Sequence, residues 1–158
     1  RKADIDVLLG EHGITRLQTI TPMRQQALAC VAMPTCALAM AEAERYLGDF
    51  VARVDALLAE HGLANEPISL RITGCPNGCA RPYLAEIALV GKAPGYYSLF
   101  LGGDPLGFRL NRRVLDTADE ASLLATLGQW FGRFARERKN GEPFGDFVDR
   151  HLPAMEKT

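Results

Sequence analysis

Four cysteines are the residues of this sequence with the most evident chemistry, and they stand in two close pairs. Cys75 and Cys79 are separated by three residues in the stretch "GCPNGC", and Cys30 and Cys36 are separated by five. Thiolates are strong ligands for zinc and for iron–sulfur clusters. Since one pair precedes a predicted long helix and the other follows a predicted strand, the four thiols can converge on a single inorganic centre.

Three interpretations of the cysteines remain open on spacing alone. Free cysteine is often just a small buried apolar residue. Structural zinc uses pairs about two to four residues apart, so the gap of three fits and the gap of five fits less well. A [4Fe–4S] cluster takes four thiolates at more varied spacing. Gly74 and Gly78 favour the cluster, because glycine lets the backbone approach a bulky core where a Cβ would clash.

The composition predicts one domain with a hydrophobic core. The chain has 158 residues, 47% of them hydrophobic, and a net charge of -1. The near-neutral charge argues against a nucleic-acid partner, and no apolar run approaches the ~20 residues that cross a membrane. Without a secretory signal, the cysteines predict metal or redox use rather than disulfides. The sequence begins with Arg1 rather than Met, so we expect a piece of a longer chain.

Hydrophobic periodicity predicts an α+β fold. Apolar residues recur at helical spacing between Leu47 and Leu58, and Gly62 fits the end of that helix. Thr117 and Glu120 form a capping-box pattern at the start of a second long helix. Further helices are predicted at residues 2–12 and 144–151, and strands at residues 68–74, 86–92, 96–103 and 107–115. We expect a mixed sheet of about four to five strands with helices packed against it.

Longer motifs around the cysteines carry a family resemblance. The stretches "ACVAMPTC", "RITGCPNGCARPYLAEIALVGKAPGYYSLFLGG" and "GEPFGDF" resemble the C-terminal part of the haemoprotein (β) subunits of bacterial NADPH-dependent assimilatory sulfite reductases, within the nitrite and sulfite reductase 4Fe–4S domain superfamily. The resemblance runs from about Thr21 to about Phe147. It implies a single domain, 1–158, in which residues 1–20 form a leading helix and connection and residues 21–150 bind the cofactors.

The resemblance implies the roles of specific residues. In this family the four cysteines ligate a [4Fe–4S] cluster, and the last one also provides the axial ligand to the iron of a sirohaem. These positions correspond to Cys30, Cys36, Cys75 and Cys79, with Cys79 as the shared ligand. By their place in the turn, Asn77 and Gly78 are expected to pack against the macrocycle.

Basic residues near the motifs have two interpretations. Sirohaem carries many carboxylates, so Arg24, Arg71 and Arg81 are candidate ion-pair partners. The alternative is ordinary solvated surface charge.

The resemblance also implies a reaction and its participants. The full-length protein is expected to reduce sulfite to sulfide in sulfate assimilation and cysteine biosynthesis, in the cytoplasm. Electrons would come from NADPH through a flavoprotein (α) subunit. The basic side chains that bind sulfite lie in earlier parts of such chains, so we assign no catalytic residue here and expect this piece alone to be inactive. The alternatives are a ferredoxin-dependent sulfite or nitrite reductase of the same superfamily, and a zinc-stabilised, non-catalytic binding module.

Overall fold

The computed structural model describes residues 2–14 and 20–152 and contains one five-stranded sheet with helices packed on it. The strands are β1 (Leu28–Ala29), β2 (Leu70–Thr73), β3 (Ile87–Ala93), β4 (Tyr96–Leu101) and β5 (Arg112–Ala118). The helices are α1 (Lys2–Glu11), α2 (Pro22–Gln26), α3 (Glu44–Glu60), α4 (Glu120–Glu137) and α5 (Phe144–His151), with a short 3-10 helix at Pro82–Leu84. No helix in these two described ranges is both long and apolar enough to cross a bilayer.

The sheet is mixed, as the sequence predicted. Its order is β1-β2-β3-β4-β5; the first three strands are parallel, and the β3–β4 and β4–β5 pairs are antiparallel. The predicted α+β class and strand number are therefore confirmed. Helix α1 lies where the leading helix was expected and buries no side chain, whereas the predicted connection after it falls on residues 15–19, outside the described residues.

The two faces of the sheet pack against different parts of the chain. On one face, alternate residues of β2, β3 and β4 join α3, α4 and α5 in the hydrophobic core. Four phenylalanines of α4 and α5 (Phe131, Phe134, Phe144 and Phe147) contact one another with ring centroids 5.2–5.4 Å apart. The opposite face is crossed by the segment that follows β2, where the ring of Tyr83 meets Phe100 of β4 edge-on at 5.4 Å. This second face therefore carries the Cys75–Cys79 pair.

Two local predictions were wrong. Thr117 does not cap α4, because it lies inside β5; the cap is Asp119, whose carboxylate accepts from the backbone N–H of Ser122 at 2.9 Å. The last strand begins at Arg112 rather than Gly107, because the preceding residues form an exposed connection that crosses from β4 to β5. The strand β1 was not predicted, since two residues are too few to show alternation.

A buried carboxylate ties α5 to the sheet. Glu86, only 4% exposed, accepts hydrogen bonds on both oxygens. One comes from the backbone N–H of Gly145 at 2.9 Å, and the others from the backbone N–H and the hydroxyl of Ser69, at 2.8 and 3.1 Å. Burial raises the pKa of Glu86, whereas these hydrogen bonds from Ser69 and Gly145 act to lower it.

Replacing Glu86 with glutamine should destabilise the protein although the shape is conserved. Each hydrogen-bond partner of the carboxylate is a donor, so the new NH₂ group faces an N–H or O–H and leaves it unpaired. We expect the free energy of unfolding at pH 8, measured by chemical denaturation, to fall by about 1–3 kcal/mol. Glu60→Gln, at the exposed end of α3, is the matched control; equal stability of the two variants would contradict this account.

Candidate functional site

The second cysteine segment leaves the end of β2 and turns back across the sheet. Cys75 is buried, whereas Cys79 is exposed. Between them Gly78 adopts a φ of 72°, a left-handed conformation that glycine takes without steric cost. Arg81 is also left-handed, with a φ of 51°, and its N–H donates to the carbonyl of Gly78 at 2.7 Å. The turn therefore presents one thiol to the interior and one to the outside.

The first cysteine segment continues from β1. The N–H of Cys30 donates to the carbonyl of Ile72 at 3.1 Å, which extends the β1–β2 pairing by one residue. Ala32, two residues later, is buried and left-handed with a φ of 46°. Its carbonyl accepts from the N–H of Cys36 at 2.7 Å, so the second cysteine of the pair is held by a local turn.

The two cysteine segments meet at Gly74. Its carbonyl accepts from the N–H groups of Met40 and Ala41, at 2.8 and 3.1 Å. A Cβ at position 74 would stand 2.6 Å from the Cβ of Ala32 and 2.7 Å from the carbonyl oxygen of Ala41. A glycine is therefore required for the segment 30–41 to lie against the start of the Cys75–Cys79 turn.

The sulfur of Cys30 accepts hydrogen bonds from the other segment. The backbone N–H of Gly74 approaches its Sγ at 3.2 Å, and the hydroxyl of Thr73 approaches it at 3.5 Å. Both donors come from the end of β2, so they tie the first cysteine segment to the second. Sequence reasoning missed Thr73, since nothing in the sequence indicated a contact across 43 positions.

The chemistry of the donor set, four thiols, is that of an iron–sulfur cluster. All four cysteines are free thiols, and they lie on two segments in direct contact. Among the described residues, no three His, Cys, Asp or Glu side chains are grouped so that they could hold a single metal ion. A cubane cluster sets a different requirement, because each thiolate binds a different iron atom.

Two of the three candidate arginines share the cysteine face. Arg71 donates from Nη1 to the carbonyl of Arg81 at 3.0 Å. Burial and, secondarily, the positive charge of Arg81 lower the pKa of Arg71. Its Nε is buried and finds no hydrogen-bond partner within the described part of the chain. Arg24 is elsewhere, with a guanidinium nitrogen beside Gly48 of α3.

The predicted macrocycle contacts lie in the turn itself. Asn77 is exposed and Gly78 is half-buried. The ring of Tyr83 lies near Gly78, and its hydroxyl donates to the carbonyl of Pro76 at 3.4 Å. One edge of the turn is thus fixed by Tyr83, while Asn77 projects from its tip.

Gly74→Ala should separate the two cysteine segments. The added methyl group overlaps backbone and Cβ atoms that cannot rotate away, so we expect the free energy of unfolding to fall by about 1–3 kcal/mol. Iron bound per chain after anaerobic reconstitution should fall with it. Gly128→Ala in α4 is the control, because its Cβ would meet only Leu57, at 3.9 Å. Unchanged stability and iron content in Gly74→Ala would contradict the assigned contact.

Comparison with known proteins agrees with the motifs and the geometry. The sequence matches no family model. It is 58% identical over 146 residues to a protein of Acidithiobacillus ferrooxidans named sulfite reductase [NADPH] hemoprotein beta-component, covering 92% of this chain and 26% of the relative. The protein of the same name in Myxococcus xanthus is 55% identical over 152 residues, covering 95% of this chain and 27% of the relative.

A solved structure shows the same fold. The NirA protein of Mycobacterium tuberculosis superposes with a TM-score of 0.73 at 24% identity, covering 92% of this chain and 30% of that one. The chain thus spans about a quarter of the length of the curated relatives it matches. Over nearly its whole length, it is a homologue of one segment of the sulfite reductase haemoprotein β-component family, as the cysteine motifs predicted.

Proposed function

We propose that the full-length protein reduces sulfite to sulfide and that this chain holds its iron–sulfur cluster. Cys30, Cys36, Cys75 and Cys79 would hold a [4Fe–4S] cluster, and Cys79 would also ligate the iron of a sirohaem. The observation that carries the proposal is the packing of the two cysteine segments at Gly74, with an N–H donated to the sulfur of Cys30. The names of the relatives support it.

The exposure of the cysteines suits this division of roles. Conversion of sulfite to sulfide lowers the oxidation state of sulfur from +4 to −2, which takes six electrons. When bound, a cluster and a sirohaem supply one-electron redox centres for this. Cys75 is buried, whereas Cys79 is exposed. An exposed sulfur would be accessible to a sirohaem that lies beyond the surface of this domain.

The arginine pair on the cysteine face supports the sirohaem assignment. Arg71 and Arg81 bring two positive charges together near the turn, with one N–H of Arg71 unsatisfied. A buried unpaired donor is costly, and a carboxylate is the partner that satisfies a guanidinium best. Carboxylates of sirohaem are the proposed partners. Arg24 lies against α3 and is left out of this part of the proposal.

The remaining parts of the proposal concern the protein beyond this chain. The relatives are named as β-components of an NADPH enzyme. The proposed electron donor is a flavoprotein (α) subunit that oxidises NADPH in the cytoplasm. The basic side chains that bind sulfite are assigned to the remaining three quarters of the protein, and the isolated domain is inactive.

The central test is metal and cofactor analysis of the full-length protein. We expect four cluster irons with labile sulfide, plus a sirohaem absorption band. Each Cys→Ser variant at the four positions should lose cluster iron, and Cys79→Ser should also change the sirohaem spectrum. Thr35→Ser, in the same loop as Cys36, is the control. Binding of one zinc ion and no iron after anaerobic reconstitution would sink the proposal in favour of a zinc-stabilised module.

Turnover separates the two reductase classes. The full-length protein with its flavoprotein and NADPH should produce sulfide from sulfite. Activity only with reduced ferredoxin, or with nitrite alone, would instead assign it to the ferredoxin-dependent members of the superfamily.

Arg81→Gln should weaken sirohaem retention without releasing the cluster. The variant removes one charge and keeps a side chain at the left-handed position. Loss of one charged hydrogen bond costs about 1.5–3 kcal/mol, so sirohaem per chain after purification should fall while cluster iron stays constant. Arg136→Gln, exposed on α4, is the matched control. Equal sirohaem content in both variants would remove Arg81 from the site.

A further inference from the structure

The turn that follows Cys79 is held by one residue, Asn111, of the connection that leads into β5. Its carbonyls at Pro82, Tyr83 and Ala85 all accept hydrogen bonds from Asn111. The side-chain Nδ2 donates to Pro82 at 2.8 Å and to Ala85 at 3.0 Å, and the backbone N–H donates to Tyr83 at 2.9 Å. One residue, 8% exposed, therefore satisfies three carbonyls of a single turn.

The orientation of the Asn111 amide is determined by its partners. Both neighbours of Nδ2 are carbonyl oxygens, so only the NH₂ group can face them. The Oδ1 on the other side is buried and has no hydrogen-bond partner among the described residues. A buried acceptor without a partner costs free energy. The two hydrogen bonds that Nδ2 donates offset that cost.

The segment that carries Asn111 is itself fixed at both ends. Arg109 donates to the carboxylate of Asp146 at 2.7 Å, and Arg112 donates to that of Asp149 at 2.8 Å, both on α5. At the other end, a Cβ on Gly103 would stand 2.3 Å from the carbonyl oxygen of Ala85. The β4–β5 connection therefore contacts the turn closely from a rigid support.

We propose that Asn111 is a positioning residue for the Cys79 thiolate. It acts through the backbone: the carbonyl it holds at Pro82 follows Arg81, whose N–H is bonded to the carbonyl of Gly78. Movement of the turn at 82–85 is thus transmitted to the residue that precedes Cys79. The inference rests on the proposed function, because it assigns Asn111 to the placement of the shared cluster and sirohaem ligand.

The test compares Asn111→Asp and Asn111→Ser in the full-length, cofactor-loaded protein. Aspartate puts an oxygen against the two carbonyls, whereas serine removes the amide without adding a charge. Hydrogen exchange of the amides of Arg81, Tyr83, Leu84 and Ala85 should become on the order of tenfold faster, since each lost bond contributes about 0.5–1.5 kcal/mol. The sirohaem absorption band and the midpoint potential of the coupled centres should shift in both variants. Asn140→Asp, an exposed amide after α4, should change neither.

The outcomes distinguish this inference from the proposed function. Faster exchange at 81–85 together with a shifted spectrum and potential in both variants supports the positioning role. Faster exchange with an unchanged spectrum and potential overturns it, and so does a shift in the aspartate variant alone, which would report only the buried charge. A wild-type protein that contains no cluster and no sirohaem would instead refute the proposed function itself.

Discussion

The contact between Gly74 and the segment 30–41 is the constraint on which the cysteine site depends. The two cysteine pairs are far apart in sequence, and the parallel β1–β2 pairing brings their segments side by side. At the end of that pairing, two N–H groups converge on the carbonyl of Gly74, and its own N–H points at the sulfur of Cys30. The missing side chain at position 74 therefore permits both the packing of the backbone and the polar contact with the thiol.

The division of the sheet into two faces explains how a polar site coexists with a large core. Aromatic and aliphatic side chains of α3, α4 and α5 supply most of the core on one face, and Ala32 and Ala41 of the first cysteine segment join it. The second face is then available for turns whose backbone carbonyls and N–H groups form hydrogen bonds outside regular helices and strands. Helix α5 links the two faces of the sheet. Its first turn donates to Glu86, while its Asp146 and Asp149 hold the β4–β5 connection that contacts the cysteine turn.

The sequence predicted the elements that have strong local signals. The long helices and the mixed sheet follow from periodicity and β-branched content, whereas the ligand role of the four cysteines stays a prediction. The β1 strand could not be predicted, since two residues show no period, and the capping box at Thr117 failed because Asp119 offered a better-placed acceptor. Contacts such as Thr73 with Cys30 and Asn111 with the turn join residues 43 and 29 positions apart. They follow from tertiary packing, which leaves no local pattern.

Backbone strain is concentrated where the cysteine segments bend. Within the described residues, Ala32 and Arg81 are the non-glycine positions with positive φ, and each follows a cysteine by two residues. Such conformations cost on the order of 1 kcal/mol or more each, and they persist only when the surroundings determine them. At Ala32 that determinant is the packing against Gly74, and at Arg81 it is the hydrogen bonds to Gly78 and from Arg71. Both bends lie two residues after a cysteine, and the close packing at Gly74 and the hydrogen bonds at Arg81 are what maintain them.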